Sequence, residues 1–93
     1  MRLEKKEREA ITSSIQSLDS NAEIYLFGSR TDLTKKGGDI DILVISQFLT
    51  SDDKIAILAQ IFETLEEQKI DLIIVSDTSS PFVRLALKTG IKL

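Results

Sequence analysis

The chain has 93 residues, 42% of them hydrophobic and 29% charged, with a formal net charge of −3 and neither cysteine nor histidine. That describes one small globular domain, residues 1–93, able to bury roughly 60–65% of its unfolded surface. It excludes disulfides, thiol nucleophiles, imidazole acid–base chemistry and Cys- or His-ligated metals, and the acidic balance argues against a surface that grips nucleic acid directly.

In chain order, residues 3–19 read as a helix, polar at first, with Ile11, Ile15 and Leu18 on one stripe. Met1 to Lys6 is too charged for a signal peptide, and no apolar run approaches the roughly 18 residues of a membrane span, so no membrane partner and a cytoplasmic location are expected. Asp19-Ser20-Asn21 breaks the helix. Ile24-Tyr25-Leu26-Phe27 is a short β-prone run that Gly28 closes, because glycine takes dihedrals that other residues resist. Residues 30–38 are polar, end Lys35-Lys36-Gly37-Gly38, and read as a mobile solvated loop. Ile40 to Ile45 is apolar and β-branched on both faces, as in a buried strand. Ser51 or Asp52 is expected to cap the next helix, with Asp53 in its first turn and a stripe of Ile55, Leu58, Phe62 and Leu65 widened by Ile61. A third strand spans about 70–75. Ser80-Pro81 then starts a last helix that Gly90 ends, and Ile91-Lys92-Leu93 adds a short strand. Arg84 on that helix is either surface charge or a contact to a site or partner. Alternating elements of this kind predict an α/β two-layer fold, a small mixed sheet packed by helices on one side.

Chemistry concentrates in three places. Gly28-Ser29 forms a tight turn of free N–H groups, which suits phosphate. Nine residues further on, Asp39 and Asp41 bracket Ile40. On a strand they share a face, roughly 6–7 Å apart at Cα, and paired carboxylates at that spacing suit Mg²⁺. Asp71 enters another apolar strand, where an isolated carboxylate is costly unless paired, hydrated or bound to a cation. Three strand-borne acids facing one site repel one another without a cation, so they are read as a metal triad.

These residues resemble the nucleotidyltransferase superfamily that includes DNA polymerase beta. The wording from Phe27 to Arg30 and from Gly37 to Val44 is most similar to the minimal nucleotidyltransferases of bacteria and archaea. The nine-residue spacer is one shorter than in many such proteins, a departure in the loop and not in the ligands. The resemblance implies a nucleotidyltransferase core in which Gly28 and Ser29 hold the β- and γ-phosphates of ATP, with Arg30 beside them. Asp39 and Asp41 would coordinate two Mg²⁺ ions, and Asp71 would join the second and help activate an acceptor hydroxyl. It further implies transfer of AMP to a tyrosine of a HEPN-type toxin, an antitoxin role. Relatives with a larger acceptor-binding lobe have residues that this chain lacks, so the acceptor is expected on a partner protein or a second copy. The alternatives are a binding module that neutralises its partner by contact, and transfer to a small molecule.

Overall fold

The computed structural model describes residues 2–66 and 68–93; Met1, at the head of the charged N-terminal stretch, lies outside them. Its order is α1 (Lys5–Gln16), β1 (Glu23–Phe27), a 3₁₀ turn (Gly28–Thr31), β2 (Ile40–Ile45), a second 3₁₀ turn (Ser51–Asp53), α2 (Lys54–Ile61), β3 (Ile70–Val75), α3 (Pro81–Thr89) and β4 (Ile91–Lys92). The strands form one mixed sheet in the order β3-β2-β1-β4. β2 runs parallel to β3, and β1 is antiparallel to both β2 and β4. Among the described residues no helix is long and apolar enough to cross a membrane. The α/β class and the small mixed sheet are as the sequence predicts.

Period-two alternation sorts the strands into two faces. Ile24 and Leu26, Ile40, Ile42 and Val44, and Ile70 and Leu72 point into the larger core, against Ile11 and Ile15 of α1 and Ile57 and Ile61 of α2. The opposite residues, Leu43 with Tyr25, Phe27, Ile73 and Val75, meet Val83 and Ala86 of α3. The sequence predicts helices on one side of the sheet only, but α3 takes the other face. The reason is legible in β2, where Ile40 and Ile42 through Val44 are fully buried, so both of its faces need cover.

Other expectations shift at the level of turns. α1 is shorter than 3–19, and Leu18 is 41% exposed just beyond it. The cap before α2 is Thr50, whose hydroxyl accepts from the Asp52 amide while Asp53 Oδ2 accepts from the Thr50 amide. The α2 stripe is rotated as well: Ile57 joins Ile61 in the core, and Ile55 is 82% exposed. Ile55 lies about 120° round the helix from Ile61 at 3.6 residues per turn, too far to share its face. Gly90 ends α3, but in extended backbone at φ −70°, not in the left-handed region.

Two side chains anchor the strand ends. Ser46, buried at the end of β2, donates to Asp19 Oδ2 at 2.6 Å and accepts from the amides of Phe48 and Leu49. Glu7, buried in α1, accepts from the Glu4 amide and from Gln68 Nε2 just before β3. Ser46 thereby fastens the trailing end of β2 to the turn after α1, and Glu7 fastens the approach to β3 to α1, while the parallel register of the two strands sets the acids they carry side by side.

Candidate functional site

The parallel register places Asp41 directly beside Asp71 on adjacent strands, about 4.8 Å apart in the hydrogen-bonding direction. Both point to the α3 side of the sheet, because the flanking Ile40, Ile42, Ile70 and Leu72 point to the other. On its other edge Asp41 is paired with Phe27, so the next residue, Gly28, meets the Asp41 carboxylate. Gly28 has φ +75°, and a Cβ there would collide with Asp41 Oδ2. Glycine is required at this position twice over, for the dihedral and for the close approach.

Gly28 opens the 3₁₀ turn through Thr31, whose hydroxyl donates to the Gly28 carbonyl at 2.7 Å. The first N–H groups of such a turn have no partner within it, so Gly28, Ser29 and Arg30 present donors beside the acids. The loop then folds back. Gly38, at φ +90°, sits against Ser29, where a Cβ would come within 2.5 Å of the Ser29 hydroxyl oxygen.

The sequence reading missed the residue that ties this loop together. Arg2 donates from Nε to the Asp32 carbonyl at 2.9 Å, from Nη1 to the Gly37 carbonyl at 2.6 Å and from Nη2 to the Ser29 carbonyl at 2.8 Å. Arg30 complements it, with Nε donating to the Gly38 carbonyl at 3.1 Å and Nη1 to the Arg2 carbonyl at 2.8 Å. Arg30 thus sits at the turn, but its guanidinium is spent on backbone carbonyls. The segment expected to be a mobile loop is cross-linked at both ends, with Asp32 accepting from the amide and hydroxyl of Thr34 in between. Arg2 carried no signal in the sequence, since a basic residue near a terminus is ordinarily solvated.

Electrostatics separate the three acids. Burial pushes the Asp41 carboxyl above its ordinary range, and the Asp71 charge, a carboxyl–carboxyl hydrogen bond with Asp71 and the Asp39 charge push the same way against Lys69. Asp71 is exposed, at the open edge of β3. Asp39 lies just before β2 and is held by Lys69, Nζ to Oδ2 at 3.6 Å. Lys69 therefore pairs with Asp39. Among the described residues no group of three acids is gathered tightly enough to hold a metal as the side chains stand. The donor set is nonetheless one that suits a hard cation: two carboxylates side by side, one of them raised by burial and by its acidic neighbours, and a third two residues before it in sequence. Gly28, Ser29, Arg30, Asp39, Asp41 and Asp71 all fall at one end of the sheet. A family model described as "Nucleotidyltransferase domain" matches residues 8–92. No curated protein matches the chain.

Proposed function

The chain belongs to the nucleotidyltransferase domain family, and from that premise we propose that it transfers AMP from ATP to a protein hydroxyl, with Mg²⁺ held by Asp39, Asp41 and Asp71. The observation that supports this best is the register pairing of Asp41 with Asp71 against the Gly28 turn. Bound there, Mg²⁺ would neutralise the triphosphate and the developing charge on the transferred phosphoryl group.

The chain's own residues supply position. Backbone donors of the Gly28–Arg30 turn and the Ser29 hydroxyl orient the β- and γ-phosphates, and the Arg2 and Arg30 ties keep those donors in place before nucleotide arrives. Asp39 leaves Lys69 to complete the acidic set. The acceptor oxygen attacks the α-phosphorus in line, the bond from that phosphorus to the bridging oxygen breaks, and pyrophosphate departs past the Gly28-Ser29 turn. The proton of the attacking hydroxyl passes to the exposed carboxylate of Asp71, the acid nearest the open edge.

The finer reading is that the acceptor is a tyrosine of a HEPN-type toxin, silenced when AMP places bulk and negative charge near its RNase site. Incubating the purified pair with ATP and Mg²⁺ and weighing the toxin tests it. The toxin should gain one or more AMP units, and Asp39→Asn should abolish the gain. An unchanged toxin mass with neutralisation intact, in the wild type and in Asp39→Asn alike, would leave a contact-based binding module in its place.

A further inference from the structure

The face of the sheet that bears Asp71 is only partly roofed. α3 covers Leu43 with Val83 and Ala86, but β3 is an edge strand, and Ile73 and Val75 beyond Asp71 are only half-buried. Asp71, Ile73 and Val75 share that face by alternation, a track of about 13 Å from the acid to the far end of the strand. At that end lies a cleft of about 710 Å³, lined by Asp77, Thr78, Ser79, Arg84, Leu87 and Lys88. Leu87 packs against the same Leu43–Val83–Ala86 cluster as Ile73 and Val75, so the cleft lies on the same face as the track that starts at Asp71.

Arg84 and Lys88 stand one helical turn apart on the exposed surface of α3, and among the described residues neither side chain makes an ion pair or hydrogen bond. Asp77 is the opposing carboxylate. Its Oδ1 is already taken by the amide and hydroxyl of Ser79, at 3.0 and 2.7 Å, which holds the carboxyl below its usual range. Two uncommitted cations over an apolar strip therefore face outward on a chain whose net charge is −3. Charge complementarity at this spot favours an acidic ligand over a basic one.

We infer that this cleft anchors the acceptor, and that the acceptor is an acidic polypeptide segment laid along β3 with its hydroxyl residue at Asp71 and a carboxylate between Arg84 and Lys88. The inference rests on the proposed nucleotidyl transfer for the role of Asp71. An extended chain rises about 3.3 Å per residue, so the acidic anchor falls about four residues from the modified hydroxyl. Leu87, with Ile73 and Val75, takes the apolar side chains between them.

The test uses the whole chain and two labelled synthetic copolymers, one of glutamate and tyrosine and one of lysine and tyrosine, with binding read by fluorescence anisotropy without nucleotide. The acidic copolymer should bind and the basic one should not. Arg84→Gln with Lys88→Gln should weaken the acidic copolymer about fivefold or more, the scale of two exposed charge contacts. Lys5→Gln with Lys6→Gln, on the far side of the sheet, should leave binding unchanged. Equal binding by the wild type and the Arg84/Lys88 variant, or an equal loss in the Lys5/Lys6 variant, would overturn the inference. Thermal melts with ATP and Mg²⁺ keep the two ideas apart. Cleft-dependent copolymer binding without a nucleotide shift would defeat the transfer reading, and a nucleotide shift with no cleft dependence would defeat this one.

Discussion

At Asp41 burial and two neighbouring carboxylates act on a single carboxyl group, and its pH behaviour follows from them. The folded chain holds that proton above the ordinary value of 3.8, while the unfolded chain releases it there. Stability from the protonated form is complete below that value and is lost as pH rises through the higher folded pKa. Asn at this position keeps the shape and removes the charge. Asp41→Asn should therefore leave the fold intact and, at neutral pH without metal, more stable by a few tenths to about 1 kcal/mol, since water still reaches the carboxyl and screens the repulsion. Its stability should also fall less than that of the wild type as pH rises above about 4, where the unfolded carboxyl ionises. Urea unfolding across that range measures both, and a destabilised Asp41→Asn would assign the carboxylate a structural role instead.

The loop between β1 and β2 is an element without regular structure that nevertheless has a defined shape. Arg2 reaches three of its carbonyls, at positions 29, 32 and 37, from outside the loop. The loop's order thus depends on a residue almost thirty positions away. Arg2→Gln should leave the melting temperature nearly unchanged, because the core of β2, α1 and α2 does not involve it. Local opening should become easier by about 2 kcal/mol, the net worth of hydrogen bonds from a charged donor. Amide hydrogen exchange over residues 29–38 should then run about thirtyfold faster. Nucleotide affinity should drop with it, since donors that were fixed in advance must now be ordered on binding. Unaltered exchange in this segment would show that Arg30 and the Asp32–Thr34 turn hold the loop by themselves.

For the molecule as a whole, nucleotide and cation should stabilise together, because the acids and the phosphate turn meet at one end of the sheet and repel anything negative until a cation is present. Thermal melts should show little shift with ATP alone and a clear one with ATP and Mg²⁺, about 2.7 kcal/mol at a hundredfold excess over the dissociation constant. Asp39→Asn should weaken that shift while sparing the fold, since its carboxylate is exposed and its ion pair is with the exposed Lys69. A shift that is the same with and without Mg²⁺ would count against a metal-bound triphosphate.

Much of this architecture was determined by sequence alone. The run of β-branched residues from Ile40 to Ile45 dictates a strand buried on both faces, Ser80-Pro81 starts a helix, and Gly28-Ser29 with Asp39, Asp41 and Asp71 singles out residues that the fold brings to one end of the sheet. These are local signals, set by propensity, alternation and spacing, and they survive without knowledge of neighbours. What needed the tertiary structure is everything that depends on which elements adjoin. The parallel register puts Asp41 against Asp71 and gives Lys69 to Asp39; sheet order sends α3 to the face opposite α1 and α2; and α2 turns Ile57 inward because α1 meets it there. The Arg2 clasp and the Arg84–Lys88 cleft belong to the same class. Charged side chains on a helix or near a terminus look alike in sequence, and only the carbonyls or the open strand brought within reach distinguish a tie, a ligand contact and a solvated charge.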